Sequence, residues 1–490
     1  MTRSLKLAIL GGGGFRTPWV YRAVADDTGE PGVGEVVLYD TDPRRLAVIE
    51  AVLAQVPGAR RPRPSVRSTT DLDDAVEGAD FVFAAIREGG LAGRQADEHV
   101  ALDLGVLGQE TIGAGGIAFG LRTVPVMLHV ARRVRALAPD AWVLNFTNPA
   151  GMITEAMQTV LGDRVLGICD TPSGLGRRVA QLLELPADEV QLDYVGLNHL
   201  GWMRRVLHHG SDVLPALLAD PGTLGRLEEG AVFGPEWLQT LGCIPNEYLW
   251  YLYCNTEAVA AIRAARETRG DSLARTQPAF YAAVAADPST AFDVWRQTVA
   301  DRSATYMAEA RTDDPDAAAS LRTDDRAGAH DRDRTTSRDN DNSGENNVDK
   351  ADDADSVDNG DSGYADVALA VMRAISRDER RVLILNVRNA TTIAALPAYA
   401  VVEVPTMVDG NGVHPLATAP PSLHQLGLMS TVKAVERLVI SAATTGSVED
   451  AENAFALHPL VGSVSTARAM LAGYRAAIPG VAALFGPRSD

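Results

Sequence analysis

Lysine is nearly absent from this 490-residue chain: Lys6, Lys350 and Lys433 are the only three among 45 basic residues. Arginine carries the rest, a bias that a GC-rich genome explains as well as any function does. The formal net charge of −19 argues against non-specific binding to nucleic acid or acidic membranes, both of which attract basic faces. Cysteine is scarce too. Cys169, Cys243 and Cys254 are an odd number in a long chain, which gives no disulfide framework and fits a reducing compartment. Long hydrophobic runs are also missing. None approaches the roughly 18 residues of a membrane span, and the apolar run before Gly11 is too short for a signal peptide. The expected location is therefore cytoplasmic, with neither membrane nor nucleic acid as a partner.

What is present reads as an α/β protein. Apolar residues make up 46% of the chain, enough for substantial cores, and the length favours two domains over one. The first 170 residues or so alternate short apolar runs with helical patterns, as a parallel sheet requires. Strands are expected at Leu5–Leu10, Glu35–Tyr39, Phe81–Ile86, Trp142–Phe146 and Arg164–Ile168. Helices are expected from the glycines to about Ala25, around Asp71–Glu77 and over Val124–Leu137. Each strand ends in a polar or glycine-rich segment: Gly11–Gly14, Asp40, Arg87–Gly90, Asn145–Pro149 and Cys169–Pro172. Ligands in such sheets bind at the carboxyl ends of strands, so these segments should line one crevice. Residues 311–362 break the pattern, being rich in Asp, Asn, Ser and Arg and carrying roughly half of the net charge. That composition cannot bury enough surface to offset ordering entropy and predicts a disordered acidic insertion. A helix at Tyr364–Ile375, a strand at Val382–Asn386 and a mostly helical tail from about Leu426 are expected beyond it. The expected domains are 1–195, of Rossmann type, and 196–490, for catalysis, substrate binding and oligomerisation.

Gly11-x-Gly13, directly after a strand and before a helix, has the context of a dinucleotide fingerprint. Its glycines let the backbone approach a pyrophosphate at the helix N-terminus. Arg16 occupies the place of the third glycine, and a tight turn in an α/β domain without a nucleotide gives similar letters. Asp40 ends the second strand, where a carboxylate accepts from an adenine ribose and repels a 2′-phosphate, favouring NAD over NADP. The cofactor candidates are Gly11, Gly12, Gly13, Gly14, Phe15 and Asp40. Asn148 and His199 would suit a dehydrogenase of a hydroxy acid or sugar. Cys169 at a strand end and His199 thirty residues on would suit a divalent transition metal, though a core cysteine and a structural histidine give the same pattern.

Longer motifs decide more. Gly89-Gly90-Leu91-Ala92-Gly93-Arg94-Gln95-Ala96-Asp97-Glu98 is followed by Gly108-Gln109-Glu110-Thr111 and Gly113-x-Gly115-Gly116. Phe146-Thr147-Asn148-Pro149, Gly167-Ile168-Cys169-Asp170-Thr171-Pro172, Gly196-Leu197-Asn198-His199 and Pro245-Asn246-Glu247-Tyr248-Leu249 come next. Val404–Gly412, Val413-His414-Pro415 and Ala456–Val461 close the series. In this order and spacing the chain resembles glycoside hydrolase family 4, in particular its 6-phospho-β-glucosidase branch, over nearly its whole length outside the acidic insertion.

The resemblance implies an NAD- and metal-dependent glycosidase, with a C-terminal domain like that of lactate and malate dehydrogenases. Most glycosidases pair two carboxylates across the scissile bond, and NAD-dependent members of this family are exceptions. In the family's mechanism NAD takes hydride from sugar C3, a base removes the acidified C2 proton, and the aglycone is eliminated. Water then adds and NADH returns the hydride, so the cofactor is restored. A divalent metal, usually Mn2+, stabilises enediolate charge as a Lewis acid. By motif, Cys169 and His199 resemble the metal ligands, and Tyr248 the base. Arg94 and Asn148 resemble substrate contacts. Asp170 resembles the proton donor of the α-acting branch, with Glu110 a second carboxylate in the crevice. Expected partners are a phosphorylated disaccharide or aryl glycoside, and a second or further copy of the chain in a homodimer or homotetramer. Three departures bear on specificity. Asp170 stands where the β-branch usually has Asn, and Trp250 where relatives often have Arg. Asp358-Asn359-Gly360-Asp361-Ser362-Gly363 replaces a common Arg-Gly-Gly segment whose Arg contacts substrate. These leave α-glycosides and unphosphorylated glycosides open as alternatives.

Overall fold

Alternation of apolar strands with amphipathic helices produces a six-stranded parallel sheet in the N-terminal half. A computed structural model describes residues 4–303, 307, 310 and 363–486; the predicted acidic insertion at 311–362 lies outside the described residues. Strands β1 (Leu5–Leu10), β2 (Val33–Tyr39), β3 (Ser65–Thr69), β4 (Phe81–Ala84), β5 (Trp142–Asn145) and β6 (Val165–Gly167) lie in the order β3-β2-β1-β4-β5-β6. All five pairings are parallel. This is the doubly wound Rossmann order, whose strand order reverses beside β1. Helices cover both faces, so β1 and β4 bury continuous apolar runs, from Leu7 to Leu10 and from Phe81 to Ala84.

The same sheet continues past β6 with antiparallel strands. Those strands are β7 (Val190–Leu197), β8 (Leu200–His208), β9 (Ser211–Asp212), β10 (Ile244–Pro245), β11 (Arg381–Arg388), β12 (Val401–Asp409) and β13 (Gly412–Pro415). The order from β6 runs β11-β12-β7-β8-β10, with β13 on β12 and β9 on β8. Two of the joins rest on one residue pair each: Asn386 opposite Gly167, and Glu403 opposite Gly196. A Cβ on Gly167 would lie 2.8 Å from Asn386 Cβ, so only glycine allows that approach. These joins bring the β6 and β7 ends, with Cys169 and His199, onto one floor.

Several elements differ from expectation. The helix predicted over Val124–Leu137 begins at Gly113, because its glycine-rich first turn is packed rather than looped. A Cβ on Gly115 would sit 2.1 Å from Gln109 O. This helix is long and apolar enough to cross a membrane by length and composition, yet 83% of its most apolar window is buried. It packs among Val435, Val439, Phe455 and Tyr474 of the C-terminal helices, so it is a core helix. The predicted strand to Ile86 ends at Ala84, where Thr147 Oγ1 takes the Ile86 amide instead. Helices Pro43–Gln55 and Gly90–Asp103 were not anticipated.

Candidate active site

A cleft of about 1290 Å3 opens along the carboxyl ends of the parallel strands. Gly11, Gly14 and Phe15 line one region, and Arg94, Glu110, Asn148, Cys169, Asp170, His199 and Tyr248 line another. Gly12, Gly13 and Asp40 stand behind this lining and shape it. Gly11 has φ +83°, and a Cβ there would lie 2.5 Å from Ala85 O. The amides of Gly11 and Gly12 donate to Tyr39 O at 2.9 and 2.7 Å. Asp40 accepts from Gly13 N at 3.2 Å and from Asp42 N at 3.1 Å. Tyr281 Oη and Arg45 Nε both donate to Gly13 O. The loop is thus fixed from both sides without a side chain of its own filling the space above it. The helix Thr17–Asp26 that follows has Pro18 in its first turn and no side-chain cap, and its Thr17 and Trp19 amides donate to Gly14 O and Arg16 O, each at 3.2 Å.

Arg16 takes the place of the fingerprint's third glycine by serving another purpose. Its guanidinium lies 4.8 Å from the Phe146 ring centre and 4.9 Å from that of Tyr364. The Tyr364 hydroxyl donates to Arg16 O at 3.1 Å. Loops from β1 and β5 and the helix Gly363–Arg377 are joined there.

In the second region a thiol, an imidazole and a phenol converge. Cys169 follows β6 and precedes the helix Thr171–Leu182, with Asp170 at that helix's N-cap. His199 occupies the β7–β8 turn at φ +62°. Asn198 beside it accepts from Ala150 N at 3.2 Å, which joins this turn to the Asn148-Pro149 loop. Tyr248 sits in a single 3-10 turn capped by Asn246, and its ring stacks on His199 at 3.9 Å and 6°. Burial pulls the His199 imidazole down to about 4, with Glu110 opposing, so the ring is neutral at pH 7 with a lone pair to offer. Burial, then the charges of Glu403 and Asp170, pushes the Cys169 thiol well up. A buried thiol among anions, lining the same cleft as a neutral imidazole, matches a site that a divalent cation completes. Asn148 Oδ1 is buried at this cleft wall without a partner among the described residues, an acceptor that a ligand donor would satisfy.

Arg94 is not a lone cation. Its Nε donates to Glu98 at 2.9 Å and its Nη1 to Glu110 at 2.7 Å. Glu110 also pairs with Arg87. Burial raises the Glu110 carboxyl, but Arg87 and Arg94 outweigh it and bring it to about 2. Glu110 therefore stays ionised and does not act as an acid near neutrality. Arg94 lies close enough to Tyr248 for their charges to interact.

Sequence reasoning missed several groups here. Gly174, Arg177, Arg178 and Gln181 line the cleft from one face of the helix after Cys169. Their spacing from Asp170, i+4, i+7, i+8 and i+11, was a legible signal. Arg178 pairs with Glu229 and Glu228. Arg177 Nη2 lies 2.8 Å from where a Cβ on Gly363 would stand, beside the segment that departs from the Arg-Gly-Gly pattern; Asp358 and Asp361 lie outside the described residues. Glu403 is fully buried, accepting from Asn386 Nδ2 at 2.8 Å, Tyr194 Oη at 3.1 Å and Asn198 Nδ2 at 3.4 Å. No local sequence signal marked it.

Fold and site together define a Rossmann-type α/β protein with metal-ligand chemistry and a phenol at the strand ends. The family model "Family 4 glycosyl hydrolase" matches residues 6–185, and "Family 4 glycosyl hydrolase C-terminal domain" matches 194–461. The chain belongs to the family 4 glycosyl hydrolases. It is 28% identical to a 6-phospho-beta-glucosidase of Escherichia coli, over 94% of this chain and 93% of that one. It is 29% identical to a 6-phospho-alpha-glucosidase of Leptotrichia buccalis, over 96% of both. The crystal structure of a Thermotoga maritima 6-phospho-beta-glucosidase with manganese, NAD+ and glucose-6-phosphate superposes with a TM-score of 0.75. That protein is 25% identical, over 96% of this chain and 98% of that one.

Proposed function

We propose that this chain hydrolyses 6-phospho-β-glucosides in the cytoplasm, with NAD and a divalent metal, Mn2+, held in the cleft. The observation that carries the reading is the meeting of Cys169, His199, Tyr248 and the Asn148 carbonyl, unpartnered among the described residues, in the cleft that also contains the glycine loop. Gly11–Gly14 and Phe15 would hold the pyrophosphate of NAD. Asp40, part-exposed and already bracing Gly13, keeps lone pairs for ribose hydroxyls. Cys169 and His199 would hold the metal. When bound, NAD supplies a hydride acceptor at sugar C3 and the metal a Lewis acid for the neighbouring oxygens.

The chain's own residues do the rest. Tyr248 removes the C2 proton, its phenol oriented by the His199 stack. Asn148 accepts from a sugar hydroxyl. Arg94, two of its donors held by Glu98 and Glu110, offers those that remain as a fixed hydrogen-bonding fork rather than as net positive charge. Asp170 sits beside the metal pair, where a carboxylic acid protonates a departing glycosidic oxygen. Arg177, on the same cleft wall, would receive the 6-phosphate in place of the missing Arg-Gly-Gly arginine.

Asp170 also supports a second reading, hydrolysis of the α-anomer, because the α-acting branch carries Asp at that position. Matched p-nitrophenyl 6-phospho-α- and β-glucosides, with NAD, Mn2+ and reductant, test both. Nitrophenol release from the β-substrate that a chelator abolishes supports the first reading. Release from the α-substrate alone replaces it with the second. NADH accumulating in step with oxidised substrate, without nitrophenol, overturns both in favour of a simple dehydrogenase.

A further inference from the structure

At the end of β7 and β8 remote from the cleft, three metal-ligating side chains converge. Glu189 ends a 3-10 turn and immediately precedes β7, while His208 ends β8. The two strands pair Val190 with His208, so Glu189 and His209 come next to each other across the strand pair. Neighbouring residues of an extended strand point to opposite faces. Here His209 adopts φ +49° and Gly210 φ +81°, and this tight turn swings the second imidazole towards the first. Their ring centres are 4.0 Å apart at 46°. Nε2 of His208 lies 3.4 Å from Glu189 Oε2, and Nε2 of His209 lies 3.3 Å from the same oxygen. One ligand atom from each of the three residues lies within 4.8 Å of the others.

Both nitrogen–oxygen distances are long for hydrogen bonds, which cluster near 2.7–3.2 Å. They match another spacing. Tetrahedral zinc with ligand bonds of about 2.0–2.2 Å has ligand–ligand edges of about 3.3–3.6 Å. Two imidazoles and one carboxylate are also a donor set that suits zinc and its neighbours copper and nickel, and not calcium or magnesium. We propose that Glu189, His208 and His209 bind a borderline transition-metal dication, of the Zn2+ class, through three protein ligands with water in the remaining position. The site clips the β8–β9 turn to the entry of β7. It lies roughly 25 Å from His199 by strand rise, so it is separate from the cleft and does not depend on the function proposed for it.

Zinc titration of untagged, chelator-stripped full-length protein by calorimetry tests the assignment. The wild-type chain should take up one more zinc than His209→Ala, while Cys169→Ser should retain that additional ion. Glu189→Gln, which keeps size and removes charge, should weaken it by about tenfold or more. Copper-loaded Cys169→Ser should show two-nitrogen hyperfine structure by electron paramagnetic resonance, and this should be lost in His209→Ala. Equal zinc stoichiometry in wild type and His209→Ala, or a copper signal unchanged by His209→Ala, overturns the proposal.

Discussion

Replacing Tyr248 by Phe removes one oxygen and leaves the ring that stacks on His199 at 3.9 Å. The neighbouring geometry should survive. The 3-10 turn is held by the Asn246 cap to the Tyr248 amide, which the substitution does not touch. A lost hydroxyl hydrogen bond costs about 1 kcal/mol of stability, too little to unfold the chain. A positioned base contributes about 10²–10⁴ in rate, or about 2.7–5.5 kcal/mol of barrier. Turnover of an aryl 6-phosphoglucoside in Tyr248→Phe should therefore fall by about 10²–10⁴, while NAD affinity stays within about twofold, as expected of a residue outside the glycine loop. Proton exchange discriminates best. Substrate incubated in D2O should gain deuterium at C2 with wild-type enzyme and fall behind in the variant by the same factor as aglycone release. If C2 exchange continues at the wild-type rate in Tyr248→Phe, the base is another group. The stack on His199 is then packing only.

Acid stability should report Glu110. Its folded value near 2 lies below the usual 4.5, so its contribution is fully present above about pH 4.5 and is lost as pH falls towards 2. The difference is worth about 3 kcal/mol, and urea denaturation of Glu110→Gln should lose that part of the acid-side slope. Substituting Ala for Gly13 would place a Cβ 2.8 Å from both Asp40 Oδ2 and Arg45 Cβ. NAD affinity, read by quenching of protein fluorescence, should fall by about tenfold or more, a 1.4 kcal/mol effect, with kcat at saturating NAD less affected. His199→Ala should abolish metal-dependent turnover and lower Mn2+ affinity in dialysis, whereas wild-type Mn2+ affinity in that variant would remove His199 from the ligand set. Arg177→Gln should raise KM for a 6-phosphorylated substrate by about tenfold and leave the unphosphorylated analogue unaffected. Equal effects on the two would place the phosphate elsewhere.

The parallel half was legible because its strands are buried on both faces. Leu7–Leu10 and Phe81–Ala84 therefore read as continuous apolar runs, and each hands over to a loop that must be polar. β3 was not legible for the converse reason: Ser65–Thr69 is an edge strand with no fully buried residue, and its alternation is weak. The site followed the same division. Gly11–Gly14, Asn148, Cys169 and His199 stand at strand ends, where sequence order already says what faces the crevice. Arg177 and Glu403 acquire their roles from partners far along the chain. Glu403 makes the point most sharply, since it meets Tyr194 and Asn198 across more than 200 residues. Burial lifts its carboxyl to about 7, with Asp170 adding and its three hydrogen bonds opposing. In metal-stripped protein its stabilising contribution is therefore complete below about pH 4.5 and is lost as pH rises towards 7, a span worth about 3 kcal/mol. Chemical denaturation of stripped Glu403→Gln should be flatter than wild type across that interval. A wild-type slope that survives the substitution would mean that the charge beneath the Cys169–His199 floor is carried by another group.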